Sequence, residues 1–194
     1  MKGDFIACLD ACVLCPPALC DILLRLAEHP RLYRPVFSMV ILEEVRRTQM
    51  TKFKRPYSKE KAACWRAEVM KAFPEALVEG GETLVPVLTN DPKDRHVLAT
   101  AIKGQAQIIV TANLKHFQER DLAPWDIDAV HPQDYLLTLF EHSPERVTDC
   151  LRRIADDRSG NGREITPERV LGALRKTVPL FAEEVAEDLG WELE

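Results

Sequence analysis

Asp10, Glu44 and Asp94 are the residues whose types and settings point to chemistry. Asp94 lies in Leu88-Thr89-Asn90-Asp91-Pro92-Lys93-Asp94-Arg95-His96-Val97-Leu98-Ala99, a stretch that reads as a loop turning into a helix. Asp91 suits the N-cap, Pro92 the first helical position and Asp94 the first turn. At helical spacing Asp94 shares a face with Val97, Leu98 and Ala101, so an acid stands on a stripe that should be buried. A buried, unpaired carboxylate is costly and calls for a partner, a proton or a metal ion. Asp10 ends the apolar run Phe5-Ile6-Ala7-Cys8-Leu9, which reads as a buried strand of a parallel sheet. The carboxyl edge of such a sheet is where ligands bind, although an aspartate there also serves simply to cap a turn. Glu44 shares one side of a helix with Ile41, Val45 and Thr48, while Glu43 faces solvent; a lone glutamate near a helix start is more often a surface residue favoured by the dipole. Together the three acids, from separate elements and with no matching buried cation, describe a site for a hard divalent ion. Mg²⁺ or Mn²⁺ takes oxygen ligands, water and substrate phosphate, and promotes in-line attack of water on a phosphodiester.

The elements that must position these acids alternate. After the first strand, Pro16-Pro17 opens a helix with Leu19, Ile22, Leu23 and Leu26 on one face. Tyr33 to Phe37 predicts a short strand, and Ser38 caps the helix that carries Glu44. Ala63 to Phe73 continues as helix. Thr83 to Leu88 predicts a strand, with Pro86 marking an edge or irregular pairing. The helix opened by Asp91 ends near Gly104. Gln107 to Val110 predicts another buried strand and runs into Thr111-Ala112-Asn113-Leu114-Lys115-His116-Phe117. Ile127 to Val130 is the last predicted strand, followed by an amphipathic segment with Tyr135, Leu136, Leu139 and Phe140. This alternation, without internal repeat, predicts an α/β layered domain over residues 1–142. The rest predicts a helical extension over 143–194: a stripe of Val147, Cys150, Leu151 and Ile154, a polar linker from Asp156 to Arg163, a helix from Thr166-Pro167 and a last one from Val178 to Leu189.

Length allows one good-sized domain with a small appendage. A formal net charge of −5 gives no reason to expect nucleic acid. It does not exclude it either, because a local basic patch supplies the contacts. Such a patch exists: Arg46, Arg47, Lys52, Lys54, Arg55, Lys59, Lys61 and Arg66 stand against only Glu60, with Tyr57 and Trp65 interspersed. It reads as a solvated helix pair or as a surface that follows phosphates beside the acids. Six cysteines read as small buried hydrophobes, and Cys12-Val13-Leu14-Cys15 lacks the second ligand pair a structural zinc needs. No run is apolar enough to cross a bilayer and no signal-peptide pattern opens the chain, so a cytoplasmic protein is expected.

Four strings then add a resemblance: Leu9 to Leu14, Ser38 through Ile41-Leu42-Glu43-Glu44-Val45, Asp91 to Ala99, and Ile109 to Phe117. In this order over residues 4–140 they resemble PIN-domain nucleases, in particular the VapC toxins of bacterial toxin–antitoxin pairs. The tail is similar to the helical end of one VapC-like branch. The resemblance implies a three-layer α/β/α fold with a parallel central sheet and Mg²⁺- or Mn²⁺-dependent endoribonuclease activity. It implies an RNA substrate, a protein antitoxin and, as one arrangement, a homodimer. It makes Asp10, Glu44 and Asp94 the metal-holding acids. Asp91 joins them as an outer acid or stays the helix cap. Thr111 and Asn113 match a polar pair that orients water or phosphate, and Arg95 and Lys115 stand with them on the substrate side. Arg95 is also placed to pair with the acids. Many relatives carry a further acid where this chain has His116, which reads as a packed or exposed side chain. One ion is expected, and a second stays open. The competing readings are a PIN-fold module that binds RNA or protein without cutting, and a small-molecule metal hydrolase. The C-terminal helices are expected to serve association or antitoxin contact.

Overall fold

The apolar run that precedes Asp10 forms the first strand, β1 (Ile6–Leu9), and everything else is laid around it. A computed structural model describes residues 5–160, 162 and 164–193. In chain order β1 is followed by α1 (Ala11–Leu14), α2 (Pro17–Glu28), β2 (Arg34–Val36), α3 (Met39–Thr51), α4 (Lys59–Ala72), α5 (Arg95–Lys103), β3 (Ile108–Val110), α6 (Glu119–Leu122), β4 (Asp128–Val130), α7 (Pro132–His142), α8 (Pro144–Arg158), α9 (Pro167–Leu174) and α10 (Pro179–Leu189). The strands form one parallel sheet in the order β2-β1-β3-β4. Parallel pairing requires long crossovers, and the helices that make them cover the faces of the sheet. Pro35 cannot donate to a ladder, and it sits in edge strand β2 opposite Ala7.

Strand order reverses direction between β1 and β3, whose register pairs Leu9 with Val110. Asp10 and Thr111 therefore leave the sheet side by side, and the Asp10 amide still donates to the Val110 carbonyl at 3.2 Å. In open α/β sheets the crevice at such a reversal, outside the carboxyl ends, is where ligands bind.

The predicted strand over Thr83 to Leu88 does not form. Gly81–Thr83 and Val85–Val87 are 3-10 turns instead. Pro86 has no amide hydrogen to give a ladder, and it stands where a turn tolerates it. The helix expected from Asp91 also starts later, at Arg95. The Asp91 carboxylate accepts from the Lys93 amide at 3.0 Å, closing an Asx turn that competes with helix geometry. Asp94 holds the cap position, with its side chain committed elsewhere.

The helices after His142 add to the same hydrophobic core rather than forming a separate one. α8 packs on α2 and α7, and α9 on α8 and α2. Leu151, Ile154, Leu171, Leu174, Phe181 and Val185 are all buried there. Each large side chain so placed contributes about 1.5–3 kcal/mol. α8 runs through Arg158, so the predicted linker is shorter than expected, and Asn161 and Arg163 of it lie outside the described residues. No described helix is long and apolar enough to cross a membrane.

Candidate active site

Asp10 is fixed from behind. It leaves β1 almost fully buried, and its Oδ2 accepts the Thr111 hydroxyl at 2.6 Å and the Cys12 thiol at 3.0 Å. Thr111 is itself fully buried and accepts the Asn113 amide at 3.0 Å, so its reach is to the carboxylate rather than to solvent. Cys12 accepts the Ala112 amide at 3.2 Å. Burial, then the Asp10 charge, pushes the Cys12 thiol up to about 12, so at neutral pH it keeps its proton and donates. Two donors hold one carboxylate oxygen and fix its orientation.

Glu44 and Asp94 come from the other wall. Ser38 caps α3 by accepting the Ile41 amide at 3.4 Å, and six residues on Glu44 projects towards α5. Its Oε2 lies 3.4 Å from His96 Nε2, at an angle that makes no hydrogen bond. Burial pulls the His96 imidazole down, but the Glu44 contact and the nearby Asp10 and Asp94 charges outweigh it and hold the pKa above its ordinary value. Asp94 Oδ2 meets His116 Nδ1 at 2.6 Å. His116, expected as a packed or exposed side chain, is half-buried and bonded to Asp94. It stands on the short turn Leu114–His116 beyond β3, which brings it back to the start of α5.

Asp10, Glu44, Asp94 and Asn113 line one cavity of about 410 Å³, together with Cys12, Cys15, Arg47 and Lys52. A second, tighter grouping shares Asp94: one ligand atom each of Asp91, Asp94 and His116 lies within 4.8 Å of the others. Arg47 and Lys52 border the cavity, yet among the described residues no lysine or arginine forms a salt bridge with any of these four acids. Arg95, which the sequence offered as such a partner, gives its Nε to the Asn90 carbonyl at 3.2 Å. Lys115 is exposed on the His116 turn. Burial raises the pKa of Asp94, the His116 bond opposes it, and the Asp10 and Asp91 charges raise it further. Converging oxygen donors that no lysine or arginine pairs with among the described residues, and that only His116 and His96 approach as ionisable bases, are a donor set that a divalent ion fits.

Cys12 was read from sequence as a buried hydrophobe, and only the fold shows it bonded to Asp10. No periodicity marks it. Cys8, Cys20 and Cys150 are buried as expected, Cys15 is half-buried, and Cys64 is exposed. Cys64 departs from the expectation because the outer face of α4 is open. The loop before Asp91 is tied down as well: the Thr89 hydroxyl donates to Asp121 Oδ1 at 2.6 Å, and Asp121 is buried.

Comparison with known proteins gives two matches. A family model described as PIN domain matches residues 7–115. VapC50 of Mycobacterium tuberculosis, named as a candidate ribonuclease, is 38% identical over 107 residues, which is 55% of this chain and 62% of that protein. The chain thus matches less than two thirds of that relative's length. No solved structure matches the chain.

Proposed function

The chain belongs to the PIN-domain family, and from that premise we propose that it is a divalent-metal-dependent endoribonuclease, the toxin of a toxin–antitoxin pair. The observation that carries the reading is the cavity shared by Asp10, Glu44 and Asp94 at the reversal of strand order, with no lysine or arginine among the described residues paired to them. The likeness to a protein named as a ribonuclease supports the substrate class.

Asp10, Glu44 and Asp94 would hold Mg²⁺ or Mn²⁺, with Asp91 and His116 bordering Asp94. Such an ion stabilises charge on a phosphodiester and makes water acidic enough to attack at neutral pH. The chain's own part is placement. Thr111 and Cys12 hold the Asp10 carboxylate in one orientation. His116 does the same for Asp94. Asn113 faces the cavity where a phosphate oxygen or water can take its amide. Arg47 and Lys52 supply positive charge to a strand entering from the α3 side. An antitoxin that covers this cavity would silence the enzyme, and a cytoplasmic setting follows from the same reading.

The test is cleavage of total RNA with and without Mn²⁺, comparing the unaltered chain with Asp94→Asn. Cleavage that needs the ion and is lost in the variant supports the proposal. Cleavage unaffected by EDTA, or retained by Asp94→Asn at the original rate, overturns it.

A further inference from the structure

A second cavity lies on the other side of Cys15, a residue that lines both. Its volume is about 260 Å³, and Leu14, Gln49, Phe53, Tyr57 and Trp65 are among its walls. That is below the roughly 300–1,000 Å³ of sites for drug-sized ligands, and it suits one planar ring system. Its makeup is unusual for a structural crevice. Gln49 is only 3% exposed, yet its side-chain carbonyl has no hydrogen-bond partner. Leaving such a group unmatched costs about 1–3 kcal/mol. Phe53 and Tyr57 meet edge to face at 5.4 Å, and Lys61 lies 3.9 Å from the Tyr57 ring centre. These neighbours stiffen the loop between α3 and α4.

The charged groups around it behave in two ways. On one side Asp21 is neutralised by Arg25 and Arg158. On the other, the loop that supplies Phe53 and Tyr57 to the cavity carries exposed Lys52, Lys54, Arg55 and Lys59, none of which forms a salt bridge among the described residues, and Lys52 lines the neighbouring acid cavity. An apolar side chain from a protein would fill the aromatic walls but leave the Gln49 amide without a match. It would gain nothing from the free cations. A nucleobase stacks on aromatic rings, offers amide-matching edges, and brings a phosphate backbone for the cations.

Building on the nuclease reading, we propose that this cavity is a base-recognition pocket. It takes one base of the RNA strand whose phosphate enters the acid-lined cavity, with Trp65 as stacking surface and Gln49 reading the base edge. Cleavage would then depend on the identity of a nucleotide near the cut, and the choice would be made outside the acidic site.

The experiment uses the full chain with Trp125→Phe and Trp191→Phe, so that Trp65 alone reports. It is done in EDTA, with end-labelled hexaribonucleotides of each base and an abasic hexamer as probes. Anisotropy of the label gives the affinity and Trp65 emission gives the contact. Base-bearing strands should quench Trp65 and bind roughly tenfold or more tightly than the abasic strand, as stacking of one base predicts. Gln49→Leu, similar in volume, should level the affinities among the bases by roughly tenfold while leaving abasic binding unchanged. Equal quenching by the abasic strand, or unchanged base preference in Gln49→Leu, overturns the pocket. So does RNA that saturates the protein while Trp65 stays silent, or quenching by apolar peptides alone. The two readings fail separately. A chain that cuts RNA with a silent Trp65 loses the pocket only. A chain whose Trp65 responds to base but which never cuts loses the nuclease only.

Discussion

On the outside of α8 to α10, three surface acids pair with arginines: Asp149 with Arg152 at 3.2 Å, Asp157 with Arg25 at 2.6 Å, Glu183 with Arg175 at 3.0 Å. Beneath them the interior is apolar. In the cavity at the end of β1 and β3 the arrangement is reversed. Asp10 and Asp94 sit inside, side-chain exposure of Asp94 is 14%, and Arg47 and Lys52 line the same cavity without pairing to either. One region keeps its acids at the solvent-facing surface, and the other turns Asp10 and Asp94 into a shared cavity where no lysine or arginine pairs with them among the described residues. Proteins seldom leave buried charge unmatched for stability alone, so the contrast separates the region that holds the fold from the region prepared for a ligand.

The sharpest way to break this contrast is to neutralise the cavity. Asp10→Asn or Asp94→Asn should reduce RNA cleavage by about a thousandfold or more, since charge stabilisation by a bound ion is worth several kcal/mol. Calorimetric Mn²⁺ titration should show the same loss, while urea unfolding shows a chain at least as stable. A variant that still takes up the ion as tightly as before would refute the assignment of the acids.

The converse is Leu171→Ala, in the fully buried face of α9. It should cost about 2–5 kcal/mol in urea unfolding, as cavities in cores do. Cleavage per folded molecule should not change. If activity falls while stability holds, the helical layer has a part in the chemistry after all.

Thr111→Val lies between the two regions. It removes the hydroxyl that holds Asp10 and preserves the volume. Metal affinity should drop by roughly 10–100-fold, the usual cost of losing a partner behind a ligand. The weaker thiol donor makes the effect of Cys12→Ala smaller. Affinity unchanged in Thr111→Val would mean that Asp10 is positioned by the backbone alone. Smallest of all is Arg175→Ala, which breaks an exposed pair and should shift stability by less than about 1 kcal/mol. A larger shift would show that charge balance in the C-terminal layer is structural.

Much of this architecture can be read from residue order. The run before Asp10, the Ser38 cap, the Thr166-Pro167 helix start and the stripe through Val147, Cys150, Leu151 and Ile154 all appear as the pattern predicts. Thr83 to Leu88 misleads because a short apolar run looks the same in a strand and in successive turns. Asp91 misleads because one aspartate can close an Asx turn or cap a helix, and the choice depends on what holds the next residues. His116 is the larger miss. Nothing near it in sequence says that it bonds an acid of another element, 22 positions away.

The sequence by itself determined which residues carry charge on faces that burial should have made apolar, because helical and strand periods are local and period violations can be seen without a fold. It also marked where β1 and β3 end, since those apolar runs stop at Asp10 and Thr111. Only the tertiary structure decided that Asp10 is held by Thr111 and Cys12, that Asp94 is held by His116, and that Arg95 turns away to a carbonyl. Those choices depend on how β1 and β3 lie side by side and how their following turns fold back onto α5. Such geometry is settled by packing between distant segments, and no local pattern encodes it.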